Sequence, residues 1–130
     1  MHRKIIPAIL IIAAIVTSCS AGKTMKFTKT ELFFGLSVPD GTKVTAQQFQ
    51  AFSDTVIAKS FSEGSTIFDA KGQWLGNNGV LVSEDTKVVM VLNKMTPETS
   101  RKIDEIREKY KKYFKQEAVL RIDAKVKGAF

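Results

Sequence analysis

Glu31-Leu32-Phe33-Phe34-Gly35-Leu36-Ser37-Val38 decides how the rest of the chain is read. Leu32, Phe34, Leu36 and Val38 fall on one side of this segment and Glu31, Phe33, Gly35 and Ser37 on the other, a period of two that predicts a strand. Pro39-Asp40-Gly41 closes it as a turn. Downstream, Thr45 and Gln48 have capping-box spacing, and Phe49, Phe52, Val56 and Ile57 recur on one helical face, so a helix is expected from about Ala46 to Lys59. Glu63-Gly64-Ser65 breaks that pattern. Thr66 to Leu75 is rich in strand formers and ends at the turn Asn77-Asn78-Gly79.

Val80-Leu81-Val82 reads as a short paired extension. Lys87 to Asn93 carries Val88-Val89-Met90-Val91-Leu92, apolar on both faces, the composition of a central strand. Thr96-Pro97 supplies an N-cap and a proline at the first helical position, and Ile103, Ile106, Tyr110, Tyr113 and Phe114 mark one stripe of the helix that follows. Leu120, Ile122, Ala124 and Val126 alternate with Arg121, Asp123, Lys125 and Lys127, predicting a last strand with one wet face. The order β-α-β-β-α-β belongs to the α+β class. It is that of the ferredoxin-like split βαβ arrangement, a four-stranded antiparallel sheet with two helices on one face. With the first and third strands central, Phe33, Val89 and Val91 are expected together on the uncovered face.

Ahead of this domain, Met1-His2-Arg3-Lys4 precedes an uncharged run from Ile5 to Val16, which is secretory-signal architecture. An apolar helix of that length rises about 18 Å, short of the roughly 30 Å of a bilayer core, so removal is expected rather than retention as a span. Val16-Thr17-Ser18-Cys19 resembles a bacterial lipobox, and Cys19 is the only cysteine in the chain. The resemblance implies a signal peptide over 1–18, cleavage before Cys19 and acylation of its sulfur. Residues 19–30 then read as a lipidated N-terminus and flexible tether, and 31–130 as one domain. Diacylation anchors a protein stably where a single chain does not. Ser20, standing where a sorting Asp is absent, points to the periplasmic side of the outer membrane.

The chain has 20 basic and 13 acidic side chains, and it stays basic without Arg3 and Lys4. For an exported domain the expected partners are the membrane, a second copy, an envelope protein or a cell-wall component, and not nucleic acid, although an RNA-recognition role suits the topology and charge. His2 is the only histidine and leaves with the signal. Ser-His-Asp and Cys-His catalysis, His/Cys zinc sites and histidine-ligated haem are therefore excluded from the mature domain. Neither a cofactor nor a metal site is expected, and no catalytic residue is assigned.

Phe33-Phe34-Gly35-Leu36-Ser37, Gly72-Gln73-Trp74, Ser83-Glu84 before Lys87-Val88-Val89, and Tyr113 to Arg121 occur in an order that resembles a family of short exported bacterial (lipo)proteins built on a domain of unknown function. The resemblance spans about Thr30 to Phe130 and implies no activity, substrate or catalytic residue. Among single candidates, Gln73-Trp74 between Gly72 and Gly76 presents an indole able to stack on a planar ligand, or a tryptophan fixing a hairpin. Glu117 and Arg121 suit either a polar ligand or a closing charge pair at the helix-strand corner. Asp69, Glu84 and Asp85 lack the spacing of a metal loop and read as solvated turn charges, and Gly35, Gly41 and Gly72 form no dinucleotide fingerprint.

The expectation is therefore a lipid-anchored binding or interaction module that self-associates through Phe33, Val89 and Val91 on its open face. The alternative is a small cofactor-free enzyme, monooxygenase- or isomerase-like, on a dimeric scaffold of the same fold. An enclosed pocket holding Glu84 or Tyr110 would favour the enzyme.

Overall fold

The computed structural model describes residues 22–130. Cys19, the signal segment and the first residues of the expected tether lie outside the described residues. Strand β1 (Met25–Gly35) leads to helix α1 (Ala46–Phe52), which runs on through a π-helical turn (Ser53–Ile57) into α2 (Ala58–Ser60). Strands β2 (Thr66–Leu75) and β3 (Leu81–Asn93), helix α3 (Pro97–Phe114) and strand β4 (Leu120–Gly128) follow. The sheet order is β2-β3-β1-β4 with every neighbouring pair antiparallel, which places the first and third strands at the centre. This is the expected α+β, ferredoxin-like arrangement.

Local chemistry sets the helix ends. The Thr45 hydroxyl accepts the Gln48 backbone N–H at 3.1 Å while the Gln48 side chain accepts the Thr45 N–H at 2.8 Å, so two orphan donors at the start of α1 are satisfied reciprocally. Thr96 caps α3 by accepting the Thr99 N–H at 3.1 Å. Lys115, in the left-handed region with φ of 51°, ends that helix. One side of the sheet receives both helices. Leu32, Phe34, Val89 and Val91 meet Phe49, Phe52, Ile57, Ile103, Ile106 and Tyr110 there. Tyr110 sits at the centre, its ring 4.7 Å from Phe34 and 5.2 Å from Phe52, with its hydroxyl donating to the Gly35 carbonyl at 2.8 Å.

Two expectations are corrected. The flexible tether assigned to residues 19–30 ends earlier, because Met25 to Thr30 are already in β1, paired with β4 from Met25↔Gly128 onward and with β3 from Thr28↔Asn93. Partners on both sides hold a segment whose lysines and threonines conceal its strand character, and Thr28 and Thr30 are buried. Second, Val89 and Val91 lie in the core beneath the helices, 0 % and 2 % exposed, and not on the open face with Phe33. Directly paired residues share a face, and the register sets Leu32 against Val89 and Phe33 against Val88. The strand run being apolar on both sides, its composition carries no sign of which row points to the helices.

Candidate functional site: the open sheet face

The register decides what the uncovered face displays. Leu120, Phe33, Val88 and Phe68 stand side by side, one from each strand, as a continuous apolar rung across the whole sheet. The next rung brings together Ile122, Glu31, Met90 and Thr66. An antiparallel sheet with one solvated side ordinarily turns polar residues outward. Here edge strand β4 does the reverse. Arg121 pairs with Leu32 and so faces the helices, whereas Leu120 and Ile122 face outward, 56 % and 42 % exposed. Phe68 and Trp74 on the opposite edge strand are each 47 % exposed.

Below the apolar rung the sheet surface dips. Gly35, Thr86 and Ala70 form one row and Glu84 with Gly72 the next, and Trp74 rises beyond them opposite Val82. The depression encloses about 390 Å³ and is also lined by Gln116, Ala118 and Leu120. Its floor depends on glycine. A Cβ at Gly35 would lie 2.5 Å from Oε1 of Glu84, so the carboxylate occupies the space that a side chain there would take. Glu84 Oε1 accepts the Ser37 N–H at 2.9 Å. Across the sheet, burial and then the Glu84 charge push the Tyr110 phenol above its ordinary value. Glu84 is thus not the solvated turn charge expected, but a partly buried strand residue.

The remaining candidates separate. Gln73 is on β2 next to Trp74 in sequence, but alternation turns the two toward opposite faces. Glu117 is exposed in the loop before β4. The corner pair anticipated for Glu117 and Arg121 is replaced. Arg121 donates to Asp104 at 3.1 Å, to Asp123 at 2.9 Å and to the Ser100 carbonyl at 3.2 Å, which ties β4 to α3. A hydrogen bond from Arg107, and then Arg121, holds the Asp104 carboxyl below the usual carboxylate range. Of the expected surface residues, Phe33, Trp74 and Glu84 are therefore brought together, with Gln73 at the rim of the same depression, while Val89, Val91, Glu117 and Arg121 are not. Sequence reading missed Leu120, Ile122 and Phe68. The alternation of β4 displayed the first two as a row without saying which way it points.

Among the described residues there is no cluster of His, Cys, Asp and Glu suited to a metal ion, and no helix long and apolar enough to cross a membrane. Comparison with solved structures finds a phage S-adenosylmethionine (SAM) lyase in complex with S-methyl-5′-thioadenosine, with a TM-score of 0.56 and 17 % identity over 80 % of this chain and 90 % of that one. A phage SAM lyase in its apo state gives a TM-score of 0.57 at 17 % identity, covering 81 % of this chain and 90 % of that one. At such identity the likeness is one of fold. No curated protein matches the chain. The family described as "Protein of unknown function (DUF3574)" matches residues 29–130, which hold all the helices and the whole sheet but for its first four residues, and the chain belongs to that family.

Proposed function

We propose that this protein is a lipid-anchored component of the bacterial envelope that works by binding, and that its binding surface is the open sheet face, closed in the working form by a second copy. The observation that carries this reading is the outward apolar row of β4, continued across the sheet by Phe33 and Val88 to Phe68 on the opposite edge. Contiguous apolar surface of this kind is costly on a monomer and marks interaction sites. Scale supports a protein-sized occupant. Four strands about 4.8 Å apart and about 30 Å long offer roughly 600 Å² before side-chain relief is added, close to the roughly 800 Å² per partner of a standard interface. The anchor rests on Cys19, and an unmodified thiol in the native protein, read by mass spectrometry, would remove it.

Light scattering of the fragment from Ser20 onward tests the surface. The expected result is an oligomer for the native sequence and a monomer with unchanged melting for Ile122→Lys; a native monomer overturns the proposal.

The enzyme reading is favoured by one feature, the carboxylate of Glu84 in a depression that a second copy would roof over. Between sheet and helices the space such an enzyme would use is filled by Tyr110, Phe34, Phe49 and Phe52. A reaction chamber could form only between copies, so the same oligomerisation experiment comes first for either reading.

A further inference from the structure

The depression around Glu84 is chemically distinct from the apolar rung above it. We propose that it is a binding site for a small organic cation with a flat apolar body, the positive charge resting on Glu84 and the body against Phe33 and Trp74. The site does not depend on self-association, which would only cover it.

Charge pairing selects the sign of the ligand. Lys71, at the rim of the depression, pairs with Asp85 on the other side of the sheet, as does Lys43, and Lys87 pairs there with Asp69. Among the described residues no lysine or arginine pairs with Glu84. A carboxylate has about four acceptor positions, and among the described residues the one donor to Glu84 is the Ser37 N–H at 2.9 Å. Enclosing such a group further without a counter-charge costs several kcal/mol, so a small ligand seated against it gains by carrying a positive charge. One carboxylate is too few ligands for a calcium or magnesium ion.

Shape selects the rest of the ligand. Gly35, Gly72 and Ala70 keep the floor low, and about 390 Å³ lies within the range of small-molecule sites. Phe33 and Trp74 stand in the walls, and an indole face is the strongest of the side-chain partners for an organic cation. The negative charge that raises the Tyr110 phenol from behind the sheet is the same one that would meet the ligand in front.

Trp74 is the only tryptophan, so its emission reports on this wall alone. The experiment titrates the full chain in nonionic detergent with benzyltrimethylammonium, and with benzyl alcohol as the neutral control. A saturable change in emission is expected for the cation and none for the alcohol. Glu84→Gln keeps an acceptor for the Ser37 N–H and removes the charge; Ala70→Lys leaves Glu84 in place and supplies an internal cation. Both should weaken binding at least tenfold while circular dichroism shows native melting. No saturable response, equal response to the alcohol, or retained affinity in either variant overturns the proposal, and none of these outcomes bears on whether the chain self-associates.

Discussion

The two faces of this sheet are made from the same kinds of residue and behave in opposite ways. Under the helices, Val89, Val91 and Leu32 of the two central strands are at most 2 % exposed. At the covered side of edge strand β4 stand Arg121, Asp123 and Lys125 instead, held by Asp104 of α3 and by Thr28 and Thr30 of β1. On the uncovered side the edge strands contribute Leu120, Ile122, Phe68 and Trp74. What the difference teaches is that covering and apolarity are separable. The helices close the middle of one face and leave a polar edge at β4, whereas the other face carries apolar residues out to both edges and is covered by nothing among the described residues.

The comparison is broken most directly by truncating one residue from each face. Ile106→Ala, in the core, should destabilise by about 2–5 kcal/mol, because the methyl groups lost leave a cavity that packed neighbours fill only partly. Leu120→Ala, on the open face, should change the stability of the monomeric fold by less than about 1 kcal/mol. Urea denaturation at low protein concentration measures both. Comparable losses would mean that the open face is closed within a single chain and that the distinction drawn between the faces is wrong.

Tyr110 sharpens the comparison, since its ring belongs to one face and its hydroxyl reaches the strand that carries the other. Burial, and then the Glu84 charge, raise its phenol above the ordinary value of 10.0. The folded state therefore holds this proton where the unfolded chain has released it. That contribution is complete below about pH 10 and declines as the pH rises further, by at most about 1.4 kcal/mol per pH unit. Tyr110→Phe should cost about 1–2 kcal/mol at neutral pH through the lost bond to Gly35. It should also show a shallower fall in stability above pH 10 than the native chain. Parallel declines in alkaline urea titrations would dissociate the phenol from this slope.

Legibility in the sequence followed how much local chemistry each feature carries. Strand β2 was readable to its ends, Thr66 and Leu75, because strand formers lie between two turn signals. Capping residues announced both long helices, and the central pairing of the first and third strands came with the topology. Face assignment was not readable. Alternation says that Leu120 and Ile122 share a side and that Arg121 and Asp123 share the other, but only pairing to Phe33 and Leu32 decides which side meets the helices. The start of β1 was hidden for a related reason. Thr28 and Thr30 are buried through hydrogen bonds to Lys125, Asp123 and Asn93, partners distant in sequence. Glu84 was misread because it is flanked in space, not in sequence, by the glycines that accommodate it.

Those glycines allow the finest test of the open face, with two identical substitutions expected to have opposite signs. At Gly35 an added methyl would lie 2.5 Å from Oε1 and 2.9 Å from Cδ of Glu84. The carboxylate is the far end of a flexible side chain and can swing away, but it then releases the Ser37 N–H. Gly35→Ala should therefore destabilise by about 1.5–3 kcal/mol, the size of a lost hydrogen bond to a charged group. At Gly72 the nearest atoms to the added methyl are Thr86 Oγ1 at 3.6 Å and the Glu84 carbonyl at 3.9 Å, ordinary contacts. Its backbone is not in the left-handed region either. Gly72→Ala should then leave stability unchanged or raise it by up to about 1 kcal/mol, through the smaller entropy of the unfolded chain. Urea midpoints of the two variants decide the matter. Equal losses would place the Glu84 carboxylate away from Gly35, and with it the charged floor that separates this depression from the apolar surface around it.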